Sequence, residues 1–215
     1  MAYSQHLQCI KEGVEVWNNW RKSVPKSKPD LVGADLSGMD LSRAYLADTN
    51  FNQANLTNVN LEGVNLSHSN FFQAVLTGAN LCGAELQGAD LSYAELYNAQ
   101  LAGASFENAT MNHISLRSFI LREMNFRNAN LFSADLVGAD FTGSDFTGAV
   151  LAEANLDLVS FFKANLSRAN LAGSSVKNTV FREAIVEGAC FRNVNLRDAN
   201  MTFTERLRFK KKGIQ

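Results

Sequence analysis

The sequence predicts an all-β solenoid, and three features of a single five-residue period predict it. Stepping by five from Leu31 to Met201 meets an apolar residue at all 35 positions: 22 Leu, 9 Phe, 2 Met and 2 Val. Two residues before each stands a small one, Ala in 21 of 34 cases between Ala34 and Ala199. Between the two lies Asp or Asn in 19 of 34, as in Ala34-Asp35-Leu36 and Ala169-Asn170-Leu171. A helix repeats its face every ~3.6 residues and a strand every ~2, so a strict period of five fits neither as a continuous element. A winding chain fits it. Each unit forms a short flat segment ending in a turn, with the Ala-type and Leu-type residues pointing inward and the Asp or Asn facing out to bond nearby backbone N–H groups. Successive windings then stack at the inter-strand spacing and satisfy one another.

The elements follow in chain order. Residues 1–24 predict an N-terminal capping helix: Leu7, Ile10, Val14 and Trp17 share a stripe at helical spacing, with Trp20 beside it and Lys11, Glu12, Glu15 and Arg21 elsewhere. An open solenoid end exposes apolar interior and unpaired backbone, so a helix laid over the first winding is expected there. Residues 25–30, bounded by Pro25 and Pro29, predict an extended lead-in. The repeat occupies 31–201, and 202–215 form a basic tail in which Phe203 and Leu207, four apart, suit one capping turn.

This A(D/N)LXX tandem resembles the pentapeptide repeat family over Leu31 to Met201. The resemblance implies a right-handed quadrilateral β-helix with four units per coil, hence about eight to nine coils and, at ~4.8 Å each, a rod of roughly 40 Å. Residues twenty apart should stack, for example Phe106, Phe126 and Phe146, or Phe141, Phe161 and Phe181. The string Trp17-Asn18-Asn19-Trp20-Arg21, followed by Pro29-Asp30-Leu31, is further similar to cyanobacterial and other bacterial members with an N-terminal helical cap.

Composition narrows the function. The 215 residues are 46% apolar and 19% charged with a net charge of −1, so no whole-molecule field points to nucleic acid or an anionic membrane. Of the charges, residues 1–30 carry five bases and three acids and residues 202–215 carry five and one, which leaves the repeat ten bases against 17 acids, −7. Three cysteines suit a reducing compartment, and with no export signal or long apolar run a cytoplasmic protein without membrane association is expected. Cys9 reads as a small buried thiol.

Apparent chemical motifs are products of the period. Gly138, Gly143 and Gly148 give the glycine spacing of a phosphate loop without its Lys-Ser/Thr, and Asn-Leu-Ser/Thr triplets mimic glycosylation acceptors. His6, His68 and His113 are too dispersed for a metal site, and no nucleophile has a base beside it. No catalytic, cofactor or metal residues are therefore assigned, and no cofactor is expected.

Departures from the repeat carry more information. Ile114, Phe119 and Met124 occupy three successive small sites, where their volume should widen the winding. Outward, Phe72, Tyr93, His113 and Phe132 stand about twenty residues apart and form the candidate partner-binding patch. Ladders of ordinary surface type are expected from Tyr97 to Arg117, from Glu107 to Arg127 and along Asp157, Lys177 and Arg197. The expected function is a noncatalytic protein-interaction scaffold or adaptor, possible in a regulatory role in differentiation or stress because the cyanobacterial resemblance allows it, with an unknown protein partner, an unspecified oligomeric state and no DNA binding. The alternative is a DNA mimic. Quinolone-resistance members of the family, as the resemblance has it, imitate a duplex and bind type II topoisomerases. The −7 repeat suits that reading, while the basic C-terminus and unbroken period oppose it.

Overall fold

The computed structural model describes residues 3–202 together with Glu205 and Phe209. It divides the chain into two compact units, Met1–Ser105 and Phe106–Gln215, each a solenoid of the same register. The period passes through this boundary without a slip, so nothing in its phase marks it.

Within each unit the residues between the Ala and Leu sites pair in parallel with the residue twenty positions on, as Asp35 with Asn55 and Asp135 with Asn155. Two backbone bonds close each bridge: the Leu36 N–H donates to the Asn55 carbonyl at 2.9 Å and the Asn55 N–H to the Ala34 carbonyl at 2.8 Å. Four turns fit into each twenty-residue winding, and each is closed by a bond such as Ala34 N–H to the Leu31 carbonyl at 3.0 Å. Since a turn uses four of every five residues, one is left to pair, and the sheet consists of single-residue bridges.

The third residue of nearly every turn has positive φ, for instance Gly33 at 64°, Asp48 at 59° and Asn128 at 53°. Positive φ at that one position is the mark of a type II turn, which explains the frequency of Gly and Asn there. The outward carboxylates and amides behave as their chemistry requires. Asp30 Oδ1 accepts the Val32 N–H at 3.0 Å and Asn70 Oδ1 the Phe72 N–H at 2.8 Å, each occupying a donor that the turn leaves open.

Burial follows the period. Leu36, Leu56, Leu116 and Leu136 are at most 1% exposed, and the Ala sites between them are similarly closed. Phenylalanines twenty apart stack face to face: Phe51 on Phe71 at 4.9 Å, Phe106 on Phe126 at 5.2 Å, Phe126 on Phe146 at 4.7 Å and Phe161 on Phe181 at 5.7 Å.

The N-terminal segment is two helices where the sequence suggests one. Helix α1 spans Ser4–Lys11 and α2 spans Val14–Ser23. Gly13 separates them with φ 125°, a conformation outside any helix and open to glycine almost alone. Ile10 and Trp17 of the predicted stripe are fully buried. In α2, Trp17 Nε1–H donates to the Tyr45 carbonyl at 2.9 Å, and the Asn18 amide donates to the Arg43 carbonyl at 2.8 Å while accepting the Tyr45 N–H at 2.9 Å. These side chains stand where the strand of a preceding winding would stand. The lead-in is tied as well, since the Asp30 N–H donates to His6 Nδ1 at 3.0 Å.

At the other end, Thr202 and Glu205 cap each other reciprocally, the Thr202 N–H donating to Glu205 Oε2 at 2.7 Å and the Glu205 N–H to Thr202 Oγ1 at 3.3 Å. Phe209 is 2% exposed and meets the rings of Phe181 and Phe191 at 5.7 and 5.5 Å. The capping turn expected from Phe203 and Leu207 lies outside the described residues, as does the basic run Lys210 to Lys212.

Candidate functional site

The outward aromatic residues are positioned by the turns. Phe72 and Phe132 are second turn residues and half-buried, while Tyr93 and His113 are exposed third residues held at φ 59° and 56°. Asn70 Oδ1 accepts the Phe72 N–H and Asn130 Oδ1 the Phe132 N–H, which holds the main chain of each corner from which the ring projects. Two ring pairs result. Within the first unit Phe72 meets Tyr93 edge-on at 5.6 Å, and within the second His113 meets Phe132 edge-on at 5.9 Å. Aromatic side chains of this kind at the surface suit anchoring an apolar or cationic group.

A second outward cluster, which the sequence reading passed over, surrounds Phe162. Lys163 Nζ and the Arg182 guanidinium each lie 5.1 Å from its ring, and Glu183 receives both cations, at 3.9 and 3.5 Å.

Charges form an ordered set in residues 106–215. Arg117, Arg122 and Arg127 reach Asp135, Asp140 and Asp145 at 2.9, 2.6 and 3.0 Å, on three successive turns. Arg127 thus meets Asp145, eighteen positions on, and Glu107 accepts instead from the Asn125 amide at 3.1 Å. The expected Glu107 to Arg127 ladder is therefore replaced, because a long side chain at the second turn position leans to the carboxylate two residues short of a full winding. Asp157 accepts the Lys177 backbone N–H at 2.8 Å and the Ser175 hydroxyl, so its ladder runs through a main-chain donor. Partial burial pushes the Asp140 and Asp145 carboxyls up, yet Thr142 with Arg122 and Thr147 with Arg127 outweigh it and hold both below the usual carboxylate range. Asp35 and Asp40 are also held low, Asp35 first by the Ser37 hydroxyl and Asp40 first by the Ser42 N–H.

The bulky small-site residues are accommodated in different ways. Ile114 is fully buried and Met124 is 4% exposed, but Phe119 is only half-buried, its ring emerging from the interior. The turn bonds at Ile114 and Phe119 lengthen to 3.4 and 3.3 Å, against 3.0 Å at Ala104 and Ala109. At Met124 a hydroxyl enters the turn: the Met124 N–H donates to Ser144 Oγ at 3.1 Å, and Ser144 Oγ donates to the Leu121 carbonyl at 2.6 Å. Ser69 does the same for Thr49, accepting its N–H at 3.2 Å and donating to the Leu46 carbonyl at 2.9 Å. The sequence held a signal for this, a serine at the small site twenty residues after an oversized one.

Among the described residues no three His, Cys, Asp or Glu side chains gather to hold a metal ion, and no helix is long and apolar enough to cross a membrane. Cys9, Cys82 and Cys190 are free thiols. Cys9 is half-buried where full burial was expected, and burial followed by Glu12 raises its pKa.

Against known proteins, a family model described as Pentapeptide repeats matches in eight copies over residues 30–67, 69–108, 109–148, 125–161 and 160–198. No curated protein matches the sequence. Among solved structures, HetL, a pentapeptide repeat protein involved in heterocyst differentiation regulation from the cyanobacterium Nostoc sp. strain PCC 7120, is 30% identical over 79% of this chain and 81% of its own, with a TM-score of 0.38. A pentapeptide repeat protein from the Arabidopsis thaliana thylakoid lumen is 32% identical over 58% of this chain and 70% of its own, with a TM-score of 0.29. Full-length QnrB1, a plasmid-mediated fluoroquinolone resistance protein, is 16% identical over 84% of this chain and 85% of its own, with a TM-score of 0.57, a likeness of fold.

Proposed function

The chain belongs to the pentapeptide repeat family, and from that premise we propose that it is a noncatalytic scaffold binding another protein through outward side chains of its solenoid. We take the windings to be right-handed and four-sided, as the family resemblance implies, and the two N-terminal helices to cap the first of them. The observation that carries the reading is the division of labour within each unit. Inward positions hold one chemistry throughout, while outward ones vary and at Phe72, Tyr93, His113 and Phe132 set aromatic rings in edge-on pairs on the surface. Buried aromatic anchors contribute ~2 kcal/mol or more each to an interface, against less than ~1 for exposed charge pairs. A cytoplasmic location accords with the three free thiols.

The test replaces one ring pair at a time. Phe72→Ser with Tyr93→Ser, and separately His113→Ser with Phe132→Ser, should leave the melting temperature within a few degrees of the parent and abolish capture of a specific partner from extract of the source organism. Undiminished capture by both double variants ends the aromatic reading.

A second reading, the DNA mimic, draws on residues 31–105, where seven acids face a single base, Arg43, and where Asp35 and Asp40 are held ionised. It requires inhibition of a purified type II topoisomerase that disappears on neutralising Asp35, Asp40 and Asp90 to Asn.

A further inference from the structure

Along the outward ladder of residues 30–105, an asparagine at the bridge position donates its side-chain amide to the same position of the preceding winding. Asn55 donates to Asp35 and Asn60 to Asp40 at 3.0 Å each, and Asn80 to Asn60 at 3.2 Å. Asn65 occupies that position twenty residues after Tyr45, whose ring offers no such acceptor. Its Oδ1 accepts the Ser67 N–H at 2.9 Å, while its Nδ2 has no partner among the described residues. The turn before Tyr45 differs as well. Arg43 lacks the positive φ of the other third turn residues in this stretch, and neither its N–H nor its guanidinium has a hydrogen-bond partner among the described residues.

A cleft of about 400 Å³ opens at this corner, lined by Arg21, Arg43, Tyr45, Gly63 and Asn65. That volume falls within the ~300–1,000 Å³ of ligand sites. Arg43, Tyr45, Gly63 and Asn65 are exposed, so these donors stand at the mouth and not in the closed interior between windings. A Cβ at Gly63 would meet nothing within 4 Å, which leaves the floor open. Helix α2 sorts the polar groups of the segment. Asn18, Trp17 and Arg21 donate to the carbonyls of Arg43, Tyr45 and Ala47 at 2.8, 2.9 and 3.1 Å, so acceptors are occupied where donors are left over. Arg21 donates also to the Ser27 carbonyl at 2.6 Å, and a guanidinium carries five N–H donors, so others remain. Lys22 Nζ, 5.7 Å from the centre of the Tyr45 ring, adds a third positive charge at the rim. No carboxylate lines the cleft, and the acids that act on its two arginines, Asp40 on Arg43 and Asp48 on Arg21, stand outside it. Cations and unpaired N–H groups in one concave place recognise an oxyanion.

We propose that this cleft binds the carboxylate or phosphate group of a small anion, held by the Arg43 main-chain N–H and guanidinium, the Asn65 side-chain amide and Arg21. The site is distinct from the aromatic pairs, and its failure leaves the scaffold reading standing.

The test is an amide NMR titration of the full chain with sodium acetate, with sodium phosphate and, at matched ionic strength, with sodium chloride. Acetate or phosphate should shift the Arg43 backbone amide and the Asn65 side-chain amide to saturation, and chloride should not. The tighter of the two identifies the group. Arg43→Gln should weaken binding about tenfold, the loss of one charge-assisted bond. Asn65→Asp keeps an acceptor for the Ser67 N–H and repeats the residue found at Asp35, Asp40 and Asp90, so the winding stands while a donor becomes a repelling charge. Saturable shifts should then disappear, with hydrogen exchange over residues 50–105 as in the parent. Shifts that chloride reproduces, amides that neither anion moves, or variants that bind as the parent does would each overturn the proposal.

Discussion

Residues 31–105 and 106–201 are built on one backbone register and stabilised by different side-chain chemistry. The first stretch has seven acids and one base, the second ten acids and nine bases, so formal charges of −6 and −1 sit on the same scaffold. Where the second stretch joins neighbouring windings through Arg–Asp pairs, the first does so through amides, the Asn55 and Asn60 side chains donating to Asp35 and Asp40 at 3.0 Å each. The interiors differ in parallel. Two of the phenylalanines at Leu-type sites, Phe51 and Phe71, lie in the first stretch and seven in the second. In the second, Phe126, Phe141, Phe146 and Phe161 also meet edge-on across the interior, at 5.4, 4.9 and 5.5 Å along that order. The lesson is that the period specifies which positions face inward and leaves open what fills them and what decorates the outside.

Core truncation should break the comparison most strongly. Phe146→Ala removes a fully buried ring that touches three others, and an expected loss of about 4 kcal/mol is measurable by denaturant unfolding. Phe146→Leu should cost roughly 1–2 kcal/mol, as the edge-to-face contacts alone are worth about 0.5–1.5 each. If Phe146→Leu is neutral, the aromatic network adds nothing beyond volume.

Next in size is the contact of α2 with the acidic stretch, which tests the proposed cap. Trp17→Ala empties a fully buried site and leaves the Tyr45 carbonyl without its donor, for an expected loss of about 3–5 kcal/mol. Hydrogen exchange should show the amides of residues 31–50 opening first. Unchanged protection there would show that α2 is no cap.

Salt and acid should then separate the two chemistries by sign. Raising sodium chloride to about 1 M shortens the screening length to ~3 Å, which relieves self-repulsion in residues 31–105 and weakens the three Arg–Asp pairs. Protection should rise in the first stretch and fall in the second by up to about 1 kcal/mol, as exposed pairs of this kind allow. Acid acts on both. Asp35, Asp40, Asp140 and Asp145 are held below the usual carboxylate range when folded. Their contribution is therefore present above the unfolded value of about 3.9 and is lost as pH falls through the lower folded values. Asp140→Asn should flatten the unfolding midpoint against pH below about 4, and an unaltered profile would remove Asp140 from the account.

The smallest effect concerns a turn. Leu158 is 58% exposed and sits at φ 63°, where glycine or asparagine is at ease. Leu158→Gly should raise stability by up to about 1 kcal/mol. By contrast Gly78→Ala should lower it, since Gly78 sits at φ 68°, where a Cβ is strained, and the added carbon would also displace the Asn58 side-chain amide.

The sequence by itself determined the winding and the inward residues, because a period of five admits one way of burying Leu and Ala together and every unit repeats the same local statement, while the twenty-residue stacking was expected from the family resemblance. Phe51 on Phe71 and Asp30 on the Val32 N–H were legible on those grounds. Three things were decided by tertiary structure alone. Gly13 divides the N-terminal segment into two helices through a backbone angle, φ 125°, that is invisible to hydrophobic spacing. Arg127 meets Asp145 rather than Glu107 because reach along a surface depends on side-chain length and direction, which a register count omits. And the Tyr45 N–H and carbonyl meet Asn18 and Trp17, distant in sequence, where a preceding winding would otherwise simply pair. Local pattern repeats in sequence and can be read there, whereas an interruption is made by a contact that occurs once and has no periodic signature.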